Sequence, residues 1–234
     1  MQNEKILVAV PAFNEEKAIA QVIADIKTAL PSADILVIND ASLDDTSARA
    51  KAAAVKVIDL PVNLGIGGAV QTGFRYARRM GYHYMLQIDG DGQHVPKEAA
   101  KLYQAMLDTQ SDMVIGSRFL EIKSYRTTYL RRLGIKLFYV LFRVLINARI
   151  TDSTSGFRIY NQKSIELLAK HYSDDYPEPD AIIFLRKNGL KVAEVGVEMR
   201  AREHGSSSIT SLKSPYYMAK VLLSILFSYS RARV

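Results

Sequence analysis

The sequence predicts an α/β domain with a mostly parallel central sheet covered by helices. Short apolar runs alternate with helical patterns from Lys5 to Gly116, and those runs are apolar on both faces, as strands buried between helix layers must be. The segments that follow the strands are polar and often acidic, as ligand-binding edges of such sheets tend to be.

In chain order, strands are expected at Ile6–Val10, Asp34–Asn39, Val55–Asp59, Tyr84–Ile88 and Met113–Gly116. Helices are expected at Glu15–Leu30, Asp44–Ala54, Gly67–Met80 and Pro96–Leu107. Beyond Arg118 the rhythm changes. A long apolar-basic helix is expected near Tyr129–Ala148, then a polar loop at Thr151–Gly156, a short strand, helices around Gln162–Lys170 and Asp180–Lys187, and a strand near Val192–Met199. A final helix should start at about Leu212. No repeat, low-complexity stretch or Pro/Gly linker divides the chain, so one domain with a functional C-terminal extension is expected.

The chain has 234 residues, 48% of them hydrophobic, enough for a substantial core and too many for a disordered chain. It has no cysteine, which excludes a disulfide framework and a thiol nucleophile. Its net charge of +7 is concentrated: 118–150 carries 8 basic residues against 1 acidic, and 200–234 carries 6 against 1. Nothing at the N-terminus resembles a signal peptide, because the first apolar run breaks at Pro11. The apolar runs Leu137–Phe142 and Val221–Ser230 are bounded by Lys or Arg and are too short to span a bilayer. A soluble or membrane-peripheral protein is expected, at the cytoplasmic face.

Three strand ends carry candidate chemistry: Pro11-Ala12-Phe13-Asn14-Glu15-Glu16, Asn39-Asp40-Ala41-Ser42 and Asp89-Gly90-Asp91-Gly92-Gln93-His94. Two carboxylates separated by one glycine can converge on a hard divalent cation such as Mg²⁺ or Mn²⁺, with Gln93 or His94 completing the shell. An isolated Asp-Gly-Asp is as easily a turn. Asp40 can read a base or ribose, or cap the following helix. Gly65-Ile66-Gly67-Gly68 can present backbone N–H groups to a phosphate, or simply start a helix with close packing. It does not follow the first strand, which disfavours a dinucleotide-binding dehydrogenase.

Taken together, Val10-Pro11-Ala12-Phe13-Asn14-Glu15, Val37-Ile38-Asn39-Asp40-Ala41-Ser42, Asn63-Leu64-Gly65 and Asp89-Gly90-Asp91-Gly92-Gln93-His94 resemble the family-2 glycosyltransferases. The resemblance is strongest to the branch of dolichyl-phosphate mannose synthases and bacterial polyprenyl-phosphate glycosyltransferases. It extends through Gly116-Ser117-Arg118, Arg131-Arg132, Asp152-Ser153-Thr154-Ser155-Gly156-Phe157-Arg158 and Arg202-Glu203-His204-Gly205-Ser206-Ser207. It implies a GT-A fold, a UDP- or GDP-sugar donor, inversion at the anomeric carbon, and a catalytic domain over 1–211 in two halves, 1–117 for the donor and 118–211 for the acceptor. Residues 212–234 would form an amphipathic, membrane-facing helix.

Carried over by residue, Pro11, Ala12, Asn14 and Glu15 would line the nucleotide pocket with Asp40 and Gly65. Asp89, Asp91 and Gln93 would hold Mg²⁺ or Mn²⁺ against the diphosphate. The loop containing Arg202 and Ser206 would close over it.

Arg118, Arg132, Arg158 and Arg202 suit an anionic polyprenyl-phosphate acceptor, which is already a nucleophile. A hydroxyl acceptor would instead need a base, for which Asp180 and Glu178 are candidates, although Asp180 can equally cap a helix. Basic stripes on the helix near 130–147 and on the final helix suit a membrane interface or packing on a partner, which includes a membrane partner protein. A nucleic-acid binder would explain the charge but not acidic loops at three strand ends. A non-catalytic sugar-nucleotide-binding subunit is a further alternative. His83 and His171 are expected to be structural.

Overall fold

A computed structural model describes residues 4–120, 139–173 and 177–201. A seven-stranded sheet forms its centre, in the order β3-β2-β1-β4-β6-β5-β7. The first five strands are β1 (Ile6–Ala12), β2 (Asp34–Asn39), β3 (Lys56–Asp59), β4 (Tyr84–Gln87) and β5 (Met113–Ser117). Two more follow at β6 (Arg158–Asn161) and β7 (Val192–Gly196). All pairings are parallel except those of β6, which lies antiparallel between β4 and β5.

The helices are α1 (Ile19–Ala29), α2 (Thr46–Ala52), α3 (Gly65–Arg79), α4 (Ala99–Thr109), α5 at 139–146, α6 (Gln162–Leu168) and α7 (Pro177–Lys187). Helix α1 buries Ile19, Val22, Ile23 and Ile26, a spacing of three and four that lays one apolar stripe on the sheet. Alternate strand residues face opposite layers. Leu7, Ala9, Leu36, Ile38, Met85 and Ile115 pack with Val70 and Phe74 of α3, Ile165 of α6 and Ile182 of α7. Val8, Val10, Val37, Leu86 and Val114 pack with α1 and with Leu102 and Met106 of α4.

The structure adjusts several expected boundaries. Helix α1 starts at Ile19 rather than Glu15, because Asn14 is left-handed (φ 55°) and Glu15 O accepts from Ala18 N and Ile19 N in a turn. Pro96 opens a short 3₁₀ turn (Pro96–Glu98) ahead of α4. Helix α7 starts three residues early at Pro177, since proline in a first turn removes no intrahelical hydrogen bond. The expected helix near 129–148 falls within the described residues only at 139–148, of which 139–146 are helical; the expected final helix lies outside them.

Strand β1 has β2 on one side and β4 on the other. The connections leave it in opposite directions, which opens a crevice at its carboxyl end. The segments after β1, β2 and β4 meet there.

Candidate active site

Beyond the carboxyl ends of the first strands, hydrogen bonds weave three loops together. Asp40 N donates to Ala12 O at 2.9 Å. The buried Asp40 carboxylate accepts from Leu64 N through Oδ1 at 2.7 Å. Asn14 Oδ1 accepts from Leu43 N at 2.8 Å, and Thr46 Oγ1 accepts from Glu15 N at 2.8 Å. Gly65, with φ 74°, opens α3 directly after the Asp40 contact, and Asn63 Oδ1 accepts from its N–H. Pro11, Ala12, Asn14, Glu15, Asp40 and Gly65, the residues expected to seat a nucleotide, therefore lie together beyond the carboxyl end of β1. Asp40 and Asn14 also hold the walls of the crevice there.

Asp89-Gly90-Asp91 crosses the mouth of this crevice. Gly90 N donates to Pro11 O at 3.1 Å, and a Cβ on Gly90 would lie 3.1 Å from that of Ala12, so the segment is pressed onto the end of β1. Asp91 Oδ1 accepts from Gln93 N at 3.1 Å. Asp89 N donates to His94 Nδ1 at 3.0 Å, and His94 Nε2 then faces Asp89 Oδ2 at 3.7 Å. With Nδ1 accepting, the ring carries its N–H on Nε2. His94 is buried and stacks on Phe157 with centroids 5.1 Å apart. With Nδ1 taken by Asp89 N and Nε2 turned to the Asp89 carboxylate, the geometry favours Gln93 over His94 of the two residues expected to complete the shell.

The donor set suits a hard cation. Asp89 is 32% exposed beside Gln87 and His94, and Asp91 and Gln93 follow on the same turn. Among the described residues no three His, Asp or Glu side chains gather to cage an ion by themselves. An ion held by two carboxylates and an amide would complete its shell with diphosphate oxygens and water. A cleft of ≈ 280 Å³ lies beside Asp91, lined by Lys17, Gln21, Asp25, His94 and Arg200.

The second group of expected site residues is gathered on the loop between α5 and β6. Arg118, at the end of β5, donates from Nε and Nη2 to the two oxygens of the buried Asp152 carboxylate, each at 2.7 Å. Asp152 N in turn donates to Glu194 Oε1 at 2.6 Å, and Thr151 N to Glu194 Oε2 at 2.8 Å. Burial raises the Glu194 carboxyl above its ordinary range, against these hydrogen bonds.

Arg158 is fully buried, and its guanidinium donates to the backbone carbonyls of Ser155, Glu178 and Ser153 at 2.6–2.8 Å. This corrects its expected role: Arg158 ties the loop to α7 and is spent on carbonyls rather than presented to a phosphate. Asp180 is buried in the first turn of α7. Burial raises the Glu178 carboxyl; Arg158 opposes that, and the charges of Asp89 and Asp180 add to it. Arg132, Arg202 and Ser206 lie outside the described residues. His83 accepts from Lys5 N at 2.9 Å and is structural, as expected.

The sequence reading missed Glu194 and the bracing by Phe157. Neither carries a local signal: Glu194 sits in an ordinary strand pattern, and Phe157 stands 63 positions after His94.

The family model for glycosyl transferase family 2 matches residues 7–168. The polyprenol monophosphomannose synthase of Mycolicibacterium smegmatis is 30% identical over 93% of this chain and 86% of its own. The UDP-N-acetylglucosamine–dolichyl-phosphate N-acetylglucosaminyltransferase of Methanococcus voltae is 28% identical over 91% and 92%. Among solved structures, glucosyl-3-phosphoglycerate synthase from Mycobacterium tuberculosis, in complex with Mn²⁺, UDP and glucosyl-3-phosphoglycerate, superposes with a TM-score of 0.73. It is 22% identical and is matched over 97% of this chain and 80% of that one. The fold is of the GT-A type.

Proposed function

The chain belongs to glycosyl transferase family 2, and from that premise we propose that it moves a sugar from a nucleoside-diphosphate donor to a polyprenyl or dolichyl phosphate, with inversion. The observation that carries this reading is that the loop whose Asp152 pairs with Arg118 runs on to Gly156, which lies against the Asp89 carboxylate; a cation held there would sit beside a site for an anion. Relatives named for polyprenol and dolichyl-phosphate transfer support it.

In this mechanism a phosphate oxygen of the acceptor forms the new bond to the anomeric carbon as the bond from that carbon to the donor's β-phosphate oxygen breaks. The nucleoside diphosphate leaves with the electron pair, and no proton need be removed from a phosphate already ionised. Asp89, Asp91 and Gln93 would hold Mg²⁺ or Mn²⁺, which would supply Lewis-acid stabilisation of the leaving diphosphate. Pro11, Ala12, Asn14, Glu15, Asp40 and Gly65 would seat the nucleotide, with Ser206 closing over it. Arg118, Arg132 and Arg202 would orient the acceptor phosphate.

Residues 1–211 are the proposed catalytic unit, with 212–234 facing a membrane surface or membrane partner at the cytoplasmic face. Among the described residues no helix is long and apolar enough to cross a membrane.

A second reading has its own support: burial raises the carboxyl pKa of Glu178, with the charge of Asp89 adding to it, and Asp180 is buried in the same first turn of α7, so either could take a proton from a hydroxyl acceptor. One experiment separates the two. UDP- and GDP-sugars are offered with polyprenyl phosphate, with and without Mn²⁺ or Mg²⁺, to wild type, Asp91→Ala, Glu178→Gln and Asp180→Asn. Metal-dependent glycosyl-phospholipid, lost in Asp91→Ala and retained in the other two, is expected. Donor binding without lipid transfer would overturn the phosphate acceptor, and absence of donor binding would overturn the activity as a whole.

A further inference from the structure

Gly156 lies on the acceptor-side loop but touches the donor-side carboxylate. A Cβ built on it would fall 2.6 Å from Asp89 Oδ2, 2.8 Å from Oδ1 and 3.0 Å from Cγ. Its three nearest contacts thus all belong to one side chain. Real Cβ atoms essentially never approach other heavy atoms so closely, and a carboxylate on a single methylene has little reach with which to move aside. Nor does the backbone demand glycine here, since Gly156 is absent from the four glycines with positive φ. Space for the Asp89 carboxylate is the visible reason for a glycine at this position.

The other sides of Asp89 are also fixed. His94 accepts from its backbone N–H and faces Oδ2, Gln87 Nε2 reaches Oδ1 at 3.3 Å, and Phe157, the residue after Gly156, backs the His94 ring. Ser155 O and Ser153 O, just before Gly156, are anchored by the buried Arg158. The loop backbone is therefore a firm wall.

We infer that Gly156 is a positioning residue for the cation site: its missing side chain lets Asp89 keep its carboxylate flat against the acceptor loop, in the one orientation that Gln87 and His94 also support. The inference rests on the assignment of Asp89 to that site made above. It also gives the two substrate sides a shared wall, because the loop that carries Asp152 ends on the carboxylate of the donor side.

The test is Mn²⁺ binding to the unreacted protein, followed by electron paramagnetic resonance with and without UDP, on wild type and Gly156→Ala. Thermal unfolding of both, and of the same pair in an Asp89→Ala background, accompanies it. Gly156→Ala is expected to weaken Mn²⁺ binding by about 10–100-fold, the range for residues that orient metal ligands. Its loss of thermal stability should disappear in the Asp89→Ala background, where no carboxylate remains to be displaced.

Wild-type binding that Gly156→Ala leaves unchanged would overturn the inference alone. Wild type that binds no Mn²⁺, with or without UDP, would overturn the site assignment and the inference with it. If Gly156→Ala does not fold, the double variant decides: folding like Asp89→Ala supports the inference, and failure to fold shows that the methyl meets something else and overturns it.

Discussion

Arg118 and Asp152 form a two-point ion pair across 34 positions of sequence, with Nε and Nη2 each 2.7 Å from a different carboxylate oxygen. Arg118 N adds a third contact to Asp152 at 3.1 Å. The carboxylate is fully buried while the guanidinium is 19% exposed, so the pair holds a partly exposed guanidinium in a fixed orientation. Asp152→Asn would set an amide N–H against the guanidinium. With Arg118 on the acceptor phosphate, we expect the KM for polyprenyl phosphate to rise about tenfold, in line with one charge-assisted hydrogen bond, while the KM for the donor holds. Initial rates with each substrate varied in turn check this; equal change in both would remove Arg118 from the acceptor side.

Arg158 makes a different prediction. Its guanidinium satisfies three backbone carbonyls, and Arg158→Met would fill the volume while leaving those acceptors without their donor. A loss of roughly 3–5 kcal/mol in unfolding free energy is expected, the scale for breaking a buried charged network. Urea unfolding measures it. A variant of native stability that fails only with acceptor would restore Arg158 to the phosphate.

Much of this arrangement is legible in the sequence. Strands β1, β2, β4 and β5 are plain because they are buried on both faces, as Val8, Val10, Val37 and Leu86 on one side and Leu7, Leu36 and Met85 on the other illustrate, while the edge strand β3 keeps only Val57 and Ile58 half-buried. The polar segments after β1, β2 and β4 meet because the strand order reverses at β1. What cannot be read is pairing between distant positions. Strand β6 is four residues long, and its antiparallel place between β4 and β5 is set by partners such as Met85 and Met113 for Tyr160. Arg158 reads as a cation for the acceptor phosphate until three carbonyls are found around it, and Gly156 reads as the end of a polar loop until Asp89 is seen against it.

Asp40 allows structure and recognition to be separated by two substitutions. Its Oδ1 accepts from Leu64 N at 2.7 Å, and Asn keeps that acceptor while Ala does not. Asp40→Ala should cost about 1 kcal/mol by removing the acceptor of a part-buried N–H, and Asp40→Asn less. If Asp40 also touches the ribose or base, Asp40→Asn will bind UDP or GDP more weakly at near-native stability. Calorimetric titration with both nucleotides reads this, and wild-type affinity in Asp40→Asn would leave the residue a purely structural role.

Asp59 links this donor wall to acid stability. Its carboxylate accepts from Lys51 Nζ at 2.6 Å, Ser47 Oγ at 2.6 Å and Asn39 Nδ2 at 2.9 Å, while Asn39 Oδ1 accepts from Ser42 N beside Asp40. The Lys51 hydrogen bond, then those of Ser47 and Asn39, lower the Asp59 pKa from 3.8 to about 2. The folded chain thus binds this proton less tightly than the unfolded chain. The stabilisation is fully present above 3.8 and is lost as pH falls through about 2. Asp59 is half-exposed, so solvent screening keeps the contribution small. Asp59→Asn should therefore unfold at slightly lower temperature above that window and lose less stability than wild type on crossing it. Thermal unfolding followed from neutral pH downward in both proteins tests the linkage, and parallel curves would show that the Lys51–Asp59 pair does not hold Asn39 through its charge.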